Sequence, residues 1–82
     1  MVKARVVVTL KDGVLDPQGQ ATQRALHALG YGEVAEVRIG KVIELNLDTD
    51  DRQWAAARLK EMCDRLLANP VIESYRIERV EG

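Results

Sequence analysis

The chain has 82 residues, of which 46% are hydrophobic and 30% charged, and its formal net charge is -1. This length predicts a single domain over residues 1–82 and leaves no room for a second. Because acidic and basic residues are interspersed and no apolar run is long enough to span a bilayer, we expect no nucleic-acid partner and no membrane partner.

The small size also bears on association and compartment. A chain of this length buries only about 63% of its unfolded surface, so its core is thin and association with other chains is favoured. There is no charged-then-apolar leader after Met1, and the single cysteine has no internal partner. These features are typical of a cytoplasmic protein in a reducing compartment.

The first two predicted elements are a strand and a helix. Residues 2–10 alternate in hydrophobicity, and Lys11-Asp12-Gly13 is a turn signal. Asp16 is a good N-cap and Pro17 suits the first helical position; residues at helical spacing follow, namely Thr22, Ala25, Leu26 and Leu29, and Gly30 closes the helix.

A glycine in the first turn of this helix is unusual. Gly19 follows Leu15-Asp16-Pro17-Gln18, and glycine costs a helix about 1 kcal/mol relative to alanine. Two interpretations are open: a merely tolerated glycine, or a place where another backbone comes close. We favour the tolerated glycine.

The longest alternating stretch is residues 34–47. Its odd positions are apolar except Lys41, and this phase is kept across Gly40. A two-residue hairpin at Gly40-Lys41 would set apolar residues opposite charged ones, so it is disfavoured. A three-residue loop pairing Val37 with Ile43 and a continuous strand bent at Gly40 both keep the faces, and we favour the bent strand.

The length of this strand predicts an oligomer. Fourteen unbent residues would run about 46 Å, whereas a compact chain of this size has a diameter of about 30 Å. The strand therefore curls, or its far end pairs outside its own subunit.

A second helix follows. Asp48, Asp50 and Asp51 supply N-cap candidates, and Asn69-Pro70 stops the helix after about Ala68. Its buried stripe is predicted to be Ala55, Leu59, Met62, Cys63 and Leu66. Trp54 lies about 100° from that stripe; we favour a rim residue folded over the core above an anchor for a partner subunit.

Residues 71–80 form the last strand, so the predicted order is β-α-β-α-β. We predict an α+β fold in which two helices pack on one face of a mostly antiparallel sheet with a long central strand bent at Gly40. The alternative is a ferredoxin-like βαββαβ fold split at Gly40.

The inventory of chemical groups is thin. His27 is the single histidine and is read as a partly exposed helix residue, while Cys63 is read as a small buried hydrophobe. The aspartates before the second helix lack the glycine and glutamate of a calcium loop, and no phosphate loop is present. We therefore expect no catalytic, cofactor-binding or metal-binding residue in this chain.

Three function classes remain open from the residues alone. They are an assembly subunit, a small-molecule-binding regulatory domain with its pocket at an oligomer interface, and, weakly, an acylphosphatase-like enzyme whose glycine-rich anion loop is missing here. For Arg38 and Lys41, which flank Gly40, we favour solvated charges over a grip on a partner's carboxylate or phosphate.

Several segments carry a resemblance to a known family. They are residues 15–19 (LDPQG), 25–27 (ALH), 37–41 (VRIGK) and 66–73 (LLANPVIE), together with Leu29, Cys63 and Tyr75. In order and length they resemble the PurS subunit of phosphoribosylformylglycinamidine (FGAM) synthase.

The resemblance implies a small non-catalytic subunit of an ATP-dependent, glutamine-hydrolysing C-N ligase of de novo purine biosynthesis. A PurQ-type glutaminase releases ammonia, a PurL-type synthetase activates formylglycinamide ribonucleotide with ATP, and the small subunit bridges them. It implies a homodimer or homotetramer, and it leaves ATP, Mg and glutamine to the partner subunits.

The resemblance also implies that the two glycine-bearing segments are candidate contact surfaces. We expect Asp16, Pro17, Gln18 and Gly19 to present backbone to a partner. We expect Arg38, Gly40 and Lys41 to mark the bend where one subunit meets another, with Trp54 as a further interface candidate.

Overall fold

The computed structural model describes residues 1–82 and contains six elements. In chain order they are strand β1 (Val2–Leu10), helix α1 (Pro17–Ala28), strand β2 (Lys41–Leu47), helix α2 (Arg52–Met62), a π-helical turn (Cys63–Leu67) and strand β3 (Glu73–Glu81). The predicted order and the α+β class are confirmed. None of the helices combines the length and the apolar character needed to cross a bilayer.

The sheet has three antiparallel strands in the order β2-β1-β3. The alternation of β1 sends its even residues into the core, where Val2, Val6 and Val8 are fully buried and Ala4 nearly so. Between Arg5 and Val6 the pairing with β3 shifts by one residue, so Arg5 lies opposite Arg79 and Val6 opposite Ile77. This bulge keeps apolar side chains on the core face along the full strand.

Helix α2 and the π-helical turn cover that face. Ala55, Leu59, Cys63 and Ala68 are buried against β1 and Leu47. The Asp51 side chain caps the helix by accepting from the Trp54 amide at 3.0 Å. Leu66, predicted to be buried, is instead 83% exposed. A π turn needs more residues per turn than an α-helix, so Leu67 and Ala68 face the core in its place.

The central strand is shorter than the alternation predicts. Strand β2 begins at Lys41, and residues 34–40 neither extend it nor form the extra strand beside it that a ferredoxin-like fold requires. The physical reason is a missing neighbour, because β1 pairs with β2 only as far as the Val8–Lys41 pair. An alternating sequence forms strand only where another edge supplies hydrogen bonds.

Helix α1 also differs from its predicted place, because it contributes no residue to the core. Together with residues 29–39 it forms what we call the arm. The protein has a radius of gyration of 16.1 Å and a longest extent of 48 Å, whereas a compact chain of this size has a radius of about 12 Å. The sheet face is therefore covered within the chain by α2 and the π turn, and the arm lies outside that core.

Candidate functional site

A cleft of about 290 Å³ lies where the arm leaves the sheet, and we call it the neck cleft. Five of the predicted contact residues line it: Asp16, Pro17, Gln18, Gly40 and Lys41. The remaining lining residues are Val8, Leu10, Ile39 and Glu73. The structure thus brings together the two glycine-bearing segments, which are more than twenty positions apart in sequence.

Asp16 links the two segments directly. Its Oδ1 accepts a hydrogen bond from the Gly19 amide at 2.8 Å, which caps α1, and its Oδ2 accepts from the Ile39 amide at 2.8 Å. The hydrogen bond from Ile39, then that from Gly19 and the nearby charge of Arg38, lower the pKa of this carboxyl below its usual range. The ionised carboxylate therefore joins the start of the helix to the end of residues 34–39.

Gly19 is the buried residue of helix α1. A Cβ at this position would stand 2.2 Å from the carbonyl oxygen of Val37 and 2.7 Å from Oδ2 of Asp16. The favoured interpretation of a merely tolerated glycine is therefore wrong, and another backbone does come close. That backbone belongs to Val37 of the same chain, so the close contact at Gly19 is internal to the arm.

The rest of the arm is held by side chains of α1. Gln23 donates to the carbonyl of Ala35 at 2.9 Å, and the His27 Nε2 lies 2.7 Å from the carbonyl oxygen of Val34. Because a carbonyl only accepts, the His27 Nε2 carries the proton in this bond. The helix and residues 34–37 are thus bound into one unit.

Arg38 fastens this unit to the sheet. Its guanidinium donates to Oδ1 of Asp12 at 2.6 Å and also to the carbonyl oxygen of Leu10. The favoured interpretation of a solvated charge is therefore incomplete, since Arg38 bonds the turn after β1. The sequence gives no signal for this pairing, because Asp12 reads as an ordinary turn residue.

Gly40 and Lys41 line the neck cleft on the side of the sheet. A Cβ on Gly40 would stand 2.5 Å from the carbonyl oxygen of Val8 and 3.0 Å from Cγ2 of Thr9, so β1 packs on its backbone. The Nζ of Lys41 lies 4.0 Å from Oε2 of Glu73, whose other oxygen accepts from the Asn69 amide at 2.7 Å. Sequence reasoning missed Glu73, because its place beside Lys41 depends on both strands flanking β1.

Trp54 lies apart from the neck cleft. It is 52% exposed, and the Arg58 guanidinium carbon lies 5.6 Å from its ring centroid. It borders what we call the helix-edge groove, two adjoining hollows of about 410 and 280 Å³ between β2 and α2. The apolar walls of this groove are Leu45, Leu47, Trp54, Met62, Leu66 and Leu67. Its use as an interface stays a prediction.

A third cluster joins the π turn to β3. The Tyr75 hydroxyl donates to Oδ1 of Asp64 at 2.9 Å, and Lys60 donates to Oδ2 at 3.2 Å. The bond from Tyr75, then that from Lys60, lower the pKa of Asp64, whereas the bond to Asp64 raises the pKa of Tyr75. The contacts pin β3 to the turn that precedes it.

Cys63 lies next to this cluster and is fully buried, as predicted. Burial first, and then the charge of Asp64, raise the pKa of the Cys63 thiol. A thiol is nucleophilic only as the thiolate, so this environment suppresses its reactivity.

The polar groups of these clusters are satisfied by one another. No buried side-chain nitrogen or oxygen lacks a hydrogen-bond partner, and no three His, Cys, Asp or Glu side chains lie together in a way that would hold a metal ion. The neck cleft therefore lies where the arm is joined to the sheet, and the helix-edge groove is a hollow with apolar walls.

Comparisons with known proteins identify what the chain is similar to. The family model described as PurS, phosphoribosylformylglycinamidine (FGAM) synthase, matches residues 3–81. The FGAM synthase subunit PurS of Bacillus subtilis is 55% identical over 78 residues, which cover 95% of this chain and 92% of that protein. The PurS subunit of Methanocaldococcus jannaschii is 42% identical over 83 residues, covering 99% and 100%.

Solved structures agree with these matches. The crystal structure of B. subtilis PurS has a TM-score of 0.85 at 54% identity and covers 100% of both chains. A chain in the structure of PurLQS from Thermotoga maritima has a TM-score of 0.83 at 30% identity, covering 98% of each chain.

Proposed function

Because the chain belongs to the PurS family of FGAM synthase subunits, we propose that it is the small, non-catalytic subunit of that enzyme in de novo purine biosynthesis. It bridges a PurQ-type glutaminase and a PurL-type synthetase, so that ammonia released from glutamine reaches formylglycinamide ribonucleotide. The match of the family model to residues 3–81 is the observation that carries this proposal.

A second finding supports the bridging role. The Thermotoga maritima structure similar to this chain is titled PurLQS, so a chain of this fold occurs there with PurL and PurQ. The similarity extends over 98% of each chain, so the comparison covers the arm as well as the sheet. A small protein that offers surfaces and has no assembled group of catalytic side chains suits a bridging role.

The division of chemistry follows from the same proposal. ATP, Mg and glutamine are used by the partner subunits, and this chain supplies no cofactor ligand. We assign the assembled enzyme to the cytoplasm, where purine nucleotides are made, in agreement with the charge pattern and single cysteine of the sequence.

We further propose that the chain forms a homodimer or homotetramer. Support comes from the arm, which adds nothing to the core of its own chain and extends the protein to 48 Å. The buried core comprises nine residues, all outside the arm, and the arm leaves Leu29, Tyr31 and Ile39 exposed in one copy. Association with another copy would remove this apolar surface from water.

The test is reconstitution of the synthase from purified subunits. We expect glutamine- and ATP-dependent formation of formylglycinamidine ribonucleotide by the matching synthetase and glutaminase to require this chain. With ammonia in place of glutamine, the synthetase should turn over without it. Equal glutamine-dependent activity with and without the chain would overturn the proposal.

A further inference from the structure

One face of the sheet is covered by no helix of the chain. Helix α2 and the π turn pack on the core face, and α1 lies in the arm. The opposite face, which we call the open face, consists of residues 3, 5, 7 and 9 of β1, residues 42, 44 and 46 of β2, and residues 74, 76, 79 and 81 of β3. These side chains are exposed, except Arg5 and Val7, which are half-buried.

The open face has an excess of positive charge. Two of its residues are acidic and four are basic, namely Glu44, Glu81, Lys3, Arg5, Arg76 and Arg79. The residue that the bulge inserts, Glu78, is exposed beside them, and the basic residues outnumber the acidic ones even when it is counted. Because the whole chain has a net charge of -1, the positive excess is a property of this face and not of the protein in general.

A pair of like charges lies at the bulge. Arg5 is directly opposite Arg79 in the register of β1 and β3, and like charges in this position destabilise a sheet. Departures of this kind from the local rules are expected at functional sites. The Cβ atoms of directly opposite residues are about 5 Å apart, so both guanidinium groups can reach one carboxylate and donate hydrogen bonds to it.

The arginines of the open face keep donors free for such a contact. Nη2 of Arg5 lies 3.4 Å from Oε2 of Glu44, and Nε of Arg79 lies 3.3 Å from Oε1 of Glu81. Each contact engages one nitrogen of a guanidinium group that has five N–H donors. Exposed ion pairs of this kind contribute little to stability, so carboxylates from another molecule can replace them.

The charge pattern selects among the molecules that could cover this face. Two copies packed open face to open face would set two positive surfaces against each other. A nucleic-acid backbone would meet the carboxylates of Glu44 and Glu81, which repel phosphate. Val7 and Val42 lie opposite each other between the charges, and Val42 is 57% exposed. An apolar centre with a charged rim is typical of protein–protein interfaces, so an acidic protein surface fits best.

We propose that the open face docks an acidic surface of a partner subunit. Arg5 and Arg79 together bind a carboxylate of that subunit, and Val7 and Val42 pack against apolar atoms beside it. This rests on the proposed function, and it assigns the contact to a face of the sheet that lies outside the arm.

The size of the open face makes charge important for this contact. Three strands about 4.8 Å apart, each at most nine residues long, span about 430 Å². This is about half of the roughly 800 Å² that each partner contributes to an interface of standard size. We therefore expect the affinity to fall as the salt concentration rises.

The variant Arg79→Glu tests the proposal. It replaces the like-charge pair with an opposite-charge pair to Arg5, so the urea midpoint of the chain should not fall. Docking should nevertheless weaken, and the dissociation constant for the synthetase or the glutaminase should rise at least about tenfold. Biolayer interferometry measures both constants, with the full chain immobilised and glutamine, ATP and Mg present.

The control is Arg24→Glu, which makes the same change of charge on helix α1 of the arm, where Arg24 is exposed. Both dissociation constants should stay within about twofold of the wild-type values. If Arg79→Glu binds both subunits as tightly as this control, the docking face is overturned and the proposed function stands. If the wild-type chain binds neither subunit, both are overturned.

Two further outcomes would assign the open face to another molecule. A smaller native mass for Arg79→Glu than for wild type, measured by light scattering, would make a second copy the occupant. Binding of a single-stranded or duplex oligonucleotide more tightly than of either subunit, with loss of that binding in Arg79→Glu, would make the occupant a nucleic acid. Either result overturns the docking of an acidic partner subunit.

Discussion

The backbone of Gly19 lies so close to the carbonyl oxygen of Val37 that a Cβ at residue 19 would stand 2.2 Å from that oxygen. This contact and the two hydrogen bonds of Asp16 join the first turn of α1 to residues 37–39. The arm is therefore a unit whose direction is set at the neck cleft, where Arg38 and Gly40 connect it to β1.

Replacing Gly19 with alanine should destabilise the protein. In an open helical position the same change stabilises by about 1 kcal/mol, because alanine has the higher helix propensity. Here the methyl group meets the backbone carbonyl of Val37, two residues before the Ile39 amide that bonds Asp16, and overpacking of this kind costs about 1–3 kcal/mol. Urea unfolding at fixed protein concentration measures whether the free energy of unfolding falls or rises.

The matched control is Gly32→Ala, because a Cβ at Gly32 meets nothing within 4 Å and this glycine has no positive φ. We expect this control to change the free energy of unfolding by less than about 0.5 kcal/mol. A Gly19→Ala protein as stable as the control would contradict the close contact with Val37.

Gly40→Val should alter assembly. The valine side chain would have to displace the Val8 carbonyl, 2.5 Å from the built Cβ, and with it the end of β1. The arm would then leave the sheet in another direction, so we expect a changed native mass or loss of the complex with the synthetase and glutaminase. An unaltered mass by light scattering together with full complex formation would refute this.

Asp16→Asn should lower stability near neutral pH, because the amide group has one acceptor oxygen for two backbone donors. The pKa of Asp16 is depressed in the folded protein, so its ionised form favours folding. That contribution is complete above the unfolded pKa of about 3.9 and is lost as the pH falls through the lower folded value.

The stability gap between wild type and Asp16→Asn should therefore be constant near neutral pH and narrow below about pH 4. Asp48→Asn is the control, since the Asp48 carboxylate is exposed and neutralising it removes the same charge. Urea unfolding midpoints of the three proteins across this pH range test the prediction. A stability difference between wild type and Asp16→Asn that stays constant into the acid range would contradict a role for the ionised Asp16 carboxylate.

The sequence predicts those features that depend on local chemistry. Asp16 was predicted to be an N-cap and Asp51 was among the N-cap candidates from residue type, and the alternation of β1 set Val2, Val6 and Val8 on one face. Cys63 was predicted to be buried from helical spacing. In each case the physical cause lies within a few residues of the position itself.

The features that were missed depend on which segments meet. Alternation marks residues 34–40 as able to pair but does not supply an edge, so the strand starts only at Lys41. The pairing of Lys41 with Glu73 requires the strand order β2-β1-β3, and the exposure of Leu66 requires a π turn that helical periodicity does not encode. A close approach of another backbone at Gly19 was one of the two interpretations of the sequence. The residues around Gly19 do not favour it, because the contact comes from Val37, far along the chain.

Removing the Asp64 carboxylate should lower the pKa of Tyr75. The hydrogen bond to Asp64 raises the pKa of Tyr75, because the neutral hydroxyl donates to a carboxylate that a phenolate would repel. In a Tyr31→Phe background, where Tyr75 is the single tyrosine, phenolate absorbance should show Tyr75 titrating at lower pH when Asp64→Asn is added. Asp48→Asn is the control, and equal titration curves for the two would contradict the assignment.

Trp54→Ala should weaken self-association. Trp54 is the single tryptophan, is half-exposed on the wall of the helix-edge groove and carries Arg58 over its ring, a combination common at interface hot spots. An anchor of that kind contributes at least about 2 kcal/mol, so the dissociation constant should rise by about thirtyfold.

Sedimentation equilibrium measures this dissociation constant. Trp54 emission in the unaltered protein should also shift to shorter wavelength as the oligomer forms. Val71→Ala, which truncates an exposed side chain away from the groove, should leave the constant unchanged, and equal constants for the two variants would remove Trp54 from the interface.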